Sequence, residues 1–187
     1  MNHKPGERLA PAGSPDAYRA AASAGADAVY LGAKAFNARA QAQNFDDGAL
    51  ANVIEDAHVR GMKVYLTLNT LIKDSEFQEA AMLASFVYRE GIDGILVQDP
   101  GLIRLLREIA PDLPLHASTQ MTLHNTDGVR AAEKMGLKRV VLSRELTIPE
   151  SKEISHSTDM ELEVFVHGAL CISRSGQCLL SSFIGGR

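Results

Sequence analysis

The sequence predicts an α/β protein, a TIM-type β/α barrel that is incomplete, with about seven β/α units and the last unit missing. Short apolar segments alternate with amphipathic ones along the chain, which is typical of a parallel sheet covered by helices on its outer face. Polar residues follow nearly every predicted strand, and this favours a barrel, because all of its loops meet at one mouth. An open doubly wound sheet, which needs such residues mainly at one switch point, remains the alternative. The chain has 187 residues, fewer than the roughly 250 of a complete barrel, so we expect the front part of a longer protein.

Strands are expected at short apolar runs, and helices where a capping residue precedes an apolar stripe. Seven strands are predicted, at residues 8–10, 28–31, 63–68, 94–97, 114–117, 139–142 and 161–166. The helices between them are predicted to begin at Ser14, Asp46, Asp74, Asp99, Asn125 and Thr147. The side-chain oxygens of such residues can accept hydrogen bonds from the free N–H groups of a first helical turn. The apolar residues of the helix over 46–60 recur at the spacing of one buried face, and they are Leu50, Val53, Ile54 and Ala57.

Composition and charge exclude several classes of protein. The chain is 45% hydrophobic and 22% charged, as in globular rather than disordered or fibrous proteins. No apolar run is long enough to span a membrane, and residues 1–7 lack the apolar core of a secretory signal, so we expect a cytoplasmic protein. The formal net charge of −4 argues against a surface that coats nucleic acid, but it is compatible with a local basic patch. Residues 1–7 are interpreted as an N-terminal extension and residues 8–187 as one barrel domain of unknown oligomeric state.

Three polar residues at predicted strand ends form a candidate binding site. Asn69 follows the third strand, Gln120 the fifth and Arg144 the sixth. The guanidinium of Arg144 is suited to a carboxylate or phosphate, because its N–H groups make paired charge-assisted hydrogen bonds, while the two amides would orient the ligand. The residues therefore predict a site for a small anionic substrate. The plainer interpretation is that Arg144 and Glu145 form a surface ion pair, which would contribute less than about 1 kcal/mol.

Two histidines are candidates for proton transfer. His116 lies within the fifth strand, where it either points into the barrel or packs against a helix. His167 lies at the predicted end of the seventh strand, four residues before Cys171. Because an imidazole beside a thiol can take its proton and make the sulfur nucleophilic, this pair suggests a thiol peptidase. Neither a Gly-x-Ser-x-Gly nor a His-Glu-x-x-His motif is present in the sequence.

The two cysteines, Cys171 and Cys178, are separated by six residues in the loop after the seventh strand. A structural disulfide is disfavoured in a reducing cytosol. Small residues and Gly176 allow the loop to fold tightly enough to hold two thiolate ligands at the barrel mouth. Two thiolates do not complete a zinc or iron–sulfur site, each of which usually needs four protein ligands. Spacing alone therefore leaves metal ligation and ordinary cysteines both open.

A series of sequence blocks runs from about residue 8 to the end of the chain. The most specific block comprises residues 163–171 and 175–181, which include both cysteines. The other blocks are residues 9–14, 25–32, 68–70, 98–101, 116–120 and 142–146. In content and order these blocks resemble the collagenase-like peptidase family, the U32 peptidases. So many blocks in the family's order argue strongly against chance agreement.

The resemblance implies a TIM-type barrel as the N-terminal domain of a longer protein, with two competing activities. Some members of the family are labelled peptidases. Others are oxygen-independent hydroxylation proteins that act on ribosomal RNA, on the wobble uridine of transfer RNA or on the ubiquinone ring, with prephenate as the implied oxygen source in the RNA cases. In those relatives four cysteines hold a four-iron four-sulfur cluster. The resemblance assigns Cys171 and Cys178 to the first two ligands, and this sequence departs from the pattern by ending before the other two.

Hydroxylation fits the cysteines better than proteolysis does, because sulfurs committed to a cluster are not available as nucleophiles. The blocks at 116–120 and 142–146 resemble the RNA branch more than the quinone branch. We therefore expect hydroxylation of ribosomal or transfer RNA, free or in an RNA–protein particle. The small anionic substrate is expected to be held by Asn69, Gln120 and Arg144, with prephenate as the co-substrate that the resemblance implies. The expected catalytic residues are His116, His167 and Glu145.

Two other hypotheses stay open. One is a collagenase-like peptidase that uses Cys171 as a thiolate beside His167. The other is a non-catalytic scaffold, a truncated remnant that self-associates through an exposed strand edge. We expect the 187 residues by themselves to be inactive, because only two of the four cluster ligands are present.

Overall fold

The protein is described here as a computed structural model covering residues 6–168, 171 and 173–178. Most of the predicted N-terminal extension lies outside these residues. Parts of the cysteine-containing block, at residues 169–170 and 179–181, lie outside them as well, as do residue 172 and the end of the chain at 182–187.

The described residues form one sheet of seven parallel strands. The strands are β1 (Leu9–Pro11), β2 (Ala28–Gly32), β3 (Lys63–Leu68), β4 (Gly94–Val97), β5 (Leu115–Ala117), β6 (Arg139–Val141) and β7 (Glu161–Glu163). They lie side by side in the order in which they occur along the chain. A doubly wound sheet reverses its strand order at a switch point. The observed order therefore excludes the doubly wound alternative for these strands.

Six α-helices connect the strands. They are α1 (Pro15–Ser23), α2 (Asp47–Val59), α3 (Phe77–Arg89), α4 (Pro100–Ile109), α5 (Thr126–Lys134) and α6 (Ile148–His156). Five begin where sequence capping predicted, one residue after a side chain that accepts a hydrogen bond from the first turn. The exception is α3, because Asp74–Glu76 form a short 3-10 turn before it. A second such turn, Thr119–Met121, follows β5.

The sheet is strongly curled, as contacts between distant strands show. Neighbouring strands lie about 4.8 Å apart, so in a flat sheet β1 and β6 would be separated by roughly 24 Å. Glu7, two residues before β1, nevertheless lies 2.8 Å from Arg139 at the start of β6, measured from Oε1 to Nη1. The hydroxyl of Tyr65 on β3 donates a hydrogen bond to the same carboxylate at 3.0 Å. The segment before β1 therefore contacts the amino-terminal parts of β3 and β6 across the inside of the curl.

The curl divides the apolar core into two parts. The larger part lies between the helices and the outer face of the sheet, where alternate strand residues such as Val29 and Leu66 are buried. The smaller part lies on the inner face and consists of Ala28, Tyr65, Leu96 and Val141. Because successive residues of a strand point to opposite faces, β2, β3, β4 and β6 each supply both parts. Among the described residues there is no helix long and apolar enough to cross a membrane.

The largest difference from the predicted elements is at β7. The apolar run suggested a strand over 161–166, but the strand ends at Glu163. Its neighbour β6 ends at Val141, and no described strand pairs with β7 on the other side. Residues after Glu163 therefore have no ladder to join, and Val166 is 93% exposed.

Candidate functional site

The residues that follow the strands meet at the carboxyl-end mouth of the curled sheet. Asn69, directly after β3, connects two of the loops there. Its Oδ1 accepts a hydrogen bond from the backbone N–H of Ala38 at 2.9 Å, and its Nδ2 donates to the hydroxyl of Ser118 at 3.1 Å. Ala38 belongs to the loop over 33–46 between β2 and α2. Asn69 thus joins this loop to the end of β5, in addition to the ligand-orienting role that the sequence predicts.

Gln120 lies in the short turn after β5 and is partly buried. Its backbone N–H donates to the hydroxyl of Ser118 at 3.3 Å, and its carbonyl oxygen accepts from Nε2 of Gln98 at 3.2 Å. The end of β4 is thereby attached to the turn after β5. The structure brings Asn69 and Gln120 together through Ser118, and their part in binding a ligand remains a prediction.

Arg144 and Glu145, after β6, both contact Ser175, which sequence reasoning missed. The backbone N–H of Ser175 donates to Oε1 of Glu145 at 2.7 Å, and the backbone N–H of Arg144 donates to the Ser175 hydroxyl at 3.1 Å. Burial works to raise the pKa of the Glu145 carboxyl, but hydrogen bonds from the backbone and from Ser175, together with the charge of Arg144, hold that pKa below its usual range. Glu145 is therefore ionised at neutral pH and acts as an acceptor.

Both cysteines and His167 lie in the segment that follows β7. Cys171 and His167 are exposed, and Cys178 is partly buried. His167 lies four residues beyond the end of β7, not at the strand end that was predicted. Within the described part of the chain, no group of three or more His, Cys, Asp or Glu side chains is arranged to hold a metal ion. The sequence contains only two cysteines, so it supplies half of the thiolates that a four-iron cluster usually takes.

His116 lies on the inner face of the curled sheet. It is 3% exposed, its ring packs edge-on against Tyr65 with 4.8 Å between centroids, and its Nδ1 is buried without a hydrogen-bond partner among the described residues. Burial lowers the pKa of His116 to about 4, and the nearby charge of Arg139 acts in the same direction. The imidazole is therefore neutral at pH 7 and a weak base. Its proposed part in proton transfer remains a prediction.

Arg139 is the centre of a charged cluster at the opposite, amino-end opening of the sheet. It donates hydrogen bonds to Glu7 at 2.8 Å and to Glu161 at 2.7 Å. A carboxylate oxygen of Glu163 lies 3.7 Å from the Arg139 guanidinium, too far for a hydrogen bond. Burial raises the pKa of Glu163 to about 7 although Arg139 opposes the shift. The sequence signals part of this cluster, because Glu161 and Glu163 alternate with Leu162 in β7.

Chemically, the mouth combines an ionised carboxylate, amide groups, an exposed guanidinium and two cysteine side chains on connected loops. Such a set can bind a polar, anionic ligand and present two sulfurs beside it. At the amino-end cluster the largely buried Arg139 pairs with Glu7 and Glu161, so this cluster is suited to stabilising the curl.

Comparison with known proteins was made by sequence and by structure. Residues 13–187 match the family described as Peptidase family U32. The chain is 41% identical over 182 residues to tRNA hydroxylation protein P of Escherichia coli (strain K12), covering 97% of this chain and 40% of that protein. It is 38% identical over 181 residues to the 23S rRNA 5-hydroxycytidine C2501 synthase of the same strain, covering 97% of this chain and 27% of that protein.

A third relative has a different name. The chain is 34% identical over 194 aligned positions to a protein named Collagenase from Porphyromonas gingivalis (strain ATCC BAA-308 / W83), covering 97% of this chain and 46% of that protein. This chain thus spans less than half the length of each of these three relatives.

Among solved structures, a U32 peptidase superimposes with a TM-score of 0.72 at 16% sequence identity, covering 88% of this chain and 71% of that one. At this level of identity the likeness concerns the fold alone. It agrees with a curled sheet of parallel strands covered by helices.

Proposed function

Because this chain belongs to peptidase family U32, we propose that it forms part of an RNA hydroxylation protein. The observation that carries the proposal is the similarity to two proteins named for tRNA and rRNA hydroxylation across nearly the whole chain. The polar loops at the mouth are compatible with it, since they offer hydrogen-bonding groups beside the cysteine segment. The substrate class proposed is transfer or ribosomal RNA, in the cytoplasm.

We propose further that the curled sheet is most of a TIM-type barrel. The monotonic order of parallel strands and the contact between Glu7 and Arg139 support closure. In such barrels the loops after the strands form the active site. The mouth that contains Asn69, Gln120 and Arg144 would then be the substrate-binding end, with prephenate as the anionic co-substrate.

For the cofactor, Cys171 and Cys178 are proposed as two ligands of a four-iron four-sulfur cluster. The donor chemistry fits, because thiolates are the usual ligands of such clusters, but the fit is to half of a cluster only. The other two thiolates would have to come from residues outside this sequence. When bound, the cluster would supply electron transfer. The residues of this chain would bind the anionic ligand at Arg144 and orient it through Asn69 and Gln120.

The peptidase alternative is favoured by the names of relatives, among them the one named Collagenase. It requires a thiolate at Cys171 with His167 as its base. Both side chains are exposed, and the proposed use of Cys171 as a ligand excludes its use as a nucleophile.

The test is complementation. The protein that carries this sequence would be produced in an Escherichia coli strain lacking its tRNA hydroxylation protein P and 23S rRNA 5-hydroxycytidine synthase, and nucleosides from purified tRNA and rRNA would be analysed by mass spectrometry. We expect a hydroxylated nucleoside to return in one RNA class, and to be lost again with Cys171→Ser. The matched control is His58→Gln, which changes an exposed histidine paired with Asp93.

A different result would overturn the proposal. If neither RNA regains a hydroxylated nucleoside while the purified protein cleaves gelatin, and if Cys171→Ser abolishes that cleavage, the peptidase hypothesis replaces it. Absence of both activities with a stably folded protein would favour the scaffold.

A further inference from the structure

Ser175 is completely buried although most of the described residues around it, from 164 to 178, are exposed or partly exposed. It makes hydrogen bonds with Arg144 and Glu145 in the loop after β6. Its backbone N–H donates to Oε1 of Glu145 at 2.7 Å, and its hydroxyl is 3.2 Å from the same oxygen. The hydroxyl also accepts a hydrogen bond from the backbone N–H of Arg144 at 3.1 Å. Ser175 is therefore fixed to the end of β6.

Gly176, the next residue, is fixed to the loop after β5. Its φ is +74°, a conformation that favours glycine. A Cβ at this position would lie 2.5 Å from the carbonyl oxygen of Gln120 and 2.5 Å from the hydroxyl oxygen of Thr122. The Thr122 hydroxyl also donates to the carbonyl oxygen of Ser175 at 2.9 Å. Both the backbone conformation and the close approach to backbone therefore require glycine here.

Ser175 and Gly176 lie between the two cysteines, four residues after Cys171 and two before Cys178. We propose that these two residues form a clasp that holds the cysteine segment against the ends of β5 and β6 and thereby sets the separation of the two sulfur atoms. In this proposal Glu145 is a positioning residue that acts through Ser175. The inference rests on the proposed function, which makes the two sulfurs ligands of one group.

The physical reason is preorganisation. Two ligands separated by six residues in an unrestrained segment must lose conformational freedom before both can bind one cluster. A segment already bonded at its centre loses less on binding. The clasp also connects the cysteines to the predicted substrate site, because Gln120 contacts Gly176 on one side and Ser118 on the other.

The clasp can be tested without iron or RNA, on the 187-residue chain kept reduced. Dibromobimane becomes fluorescent when it alkylates two thiols, so its cross-linking rate reports how often the two sulfurs are close. We expect Gly176→Ala to slow the formation of the fluorescent adduct about fivefold or more. Gly168→Ala is the matched control in the same segment, because an added Cβ there meets nothing within 4 Å.

Glu145 provides a second, conservative test. Glu145→Ala removes the acceptor for the Ser175 N–H and is expected to slow cross-linking several-fold. Glu145→Gln keeps a carbonyl acceptor and is expected to restore most of the rate. Glu153→Gln, an exposed residue of α6, is the control. If Glu145 contributed only to overall stability, its variants would change the thermal midpoint but would cross-link at the rate of the unchanged chain. The thermal midpoint of each variant is therefore measured by circular dichroism.

The outcomes separate this inference from the proposed function. Equal cross-linking rates in the unchanged chain, Gly176→Ala and Glu145→Ala, with all three folded, would overturn the clasp even if the longer protein hydroxylates RNA. If Gly176→Ala fails to fold, the rates of Glu145→Ala and Glu145→Gln decide the question. Slowed cross-linking with rescue by Gln would support the clasp even if no hydroxylated nucleoside is found.

Discussion

Glu7 and Arg139 are joined by a hydrogen bond of 2.8 Å, although one precedes the first strand and the other begins the sixth. The same carboxylate pairs with Lys63 on β3 at 2.9 Å. One side chain from the segment before the sheet thus contacts two strands from opposite sides of the curl. Both partners in the Arg139 contact are largely shielded from solvent, with side chains 22% and 11% exposed.

Replacing this carboxylate should therefore destabilise the fold. Glu7→Ala is expected to lower the free energy of unfolding by about 1–3 kcal/mol, the range for hydrogen bonds to charged groups that become unsatisfied. Urea unfolding followed by circular dichroism measures the change. Asp16→Asn is the control, because the ion pair of Asp16 with Arg19 is on the surface and should contribute little. Equal unfolding midpoints for Glu7→Ala and the unchanged chain would show that this contact does not hold the curl.

Strand bounds were predicted well where neighbouring residues in the sequence mark both ends of the strand. β4 was placed at its observed bounds, since the apolar run at 94–97 is bracketed by Gly91 and the capping residue Asp99. β7 was predicted too long, because an apolar run does not reveal where the neighbouring strand β6 ends. The length of a paired strand depends on its partner strand, which lies about 20 residues away in sequence. The residue pattern of one segment carries no information about where that partner ends.

The same limit applies to the candidate site. Asn69 and Gln120 were placed at one mouth correctly, because parallel strands direct their carboxyl ends to the same side. The contact of Glu145 with Ser175 joins residues 30 positions apart through a loop, and no periodicity signals it. The environment of His116 was equally hidden, since its burial depends on Tyr65 and Arg139 from other strands.

Glu163 should make stability decrease with increasing pH. Burial raises its pKa to about 7 in the folded state, above the usual value of 4.5. Between these values the folded chain binds the proton and the unfolded chain has released it, so the free energy of unfolding falls as pH rises. Glu163→Gln is expected to remove a pH-dependent difference on the order of 2 kcal/mol between pH 4.5 and 7.5.

The measurement for Glu163 is a series of urea unfolding curves across that pH range for both chains. Glu153→Gln serves as a surface control on α6. A constant difference in unfolding free energy between Glu163→Gln and the unchanged chain at every pH would contradict a raised pKa.

His116 should make the folded chain less stable as pH decreases below 6.5. Burial, assisted by Arg139, lowers its pKa to about 4 from the usual 6.5. Between pH 6.5 and 4 the imidazole is protonated in the unfolded chain but stays neutral in the folded chain. The free energy of unfolding therefore falls as pH decreases from 6.5 towards 4. His116→Phe, which keeps a ring against Tyr65, is expected to lack this part of the acid sensitivity. Titration of the His116 ring protons by NMR checks the assignment directly, and a midpoint near 6.5 in the folded chain would refute it.

Two substitutions of Asn69 test how its two hydrogen bonds hold the loops at the mouth, and they distinguish one bond from the other. Asn69→Ala removes both, and we expect faster hydrogen exchange at Ala38 and in the turn after β5, by roughly tenfold for a loss of about 1.4 kcal/mol. Asn69→Asp keeps an acceptor for the Ala38 N–H but loses the donor to Ser118. It should restore slow exchange at Ala38 while the turn after β5 stays fast. Thr70→Ala, at the next position, is the control, and unchanged exchange at both places in Asn69→Ala would show that other contacts hold these loops.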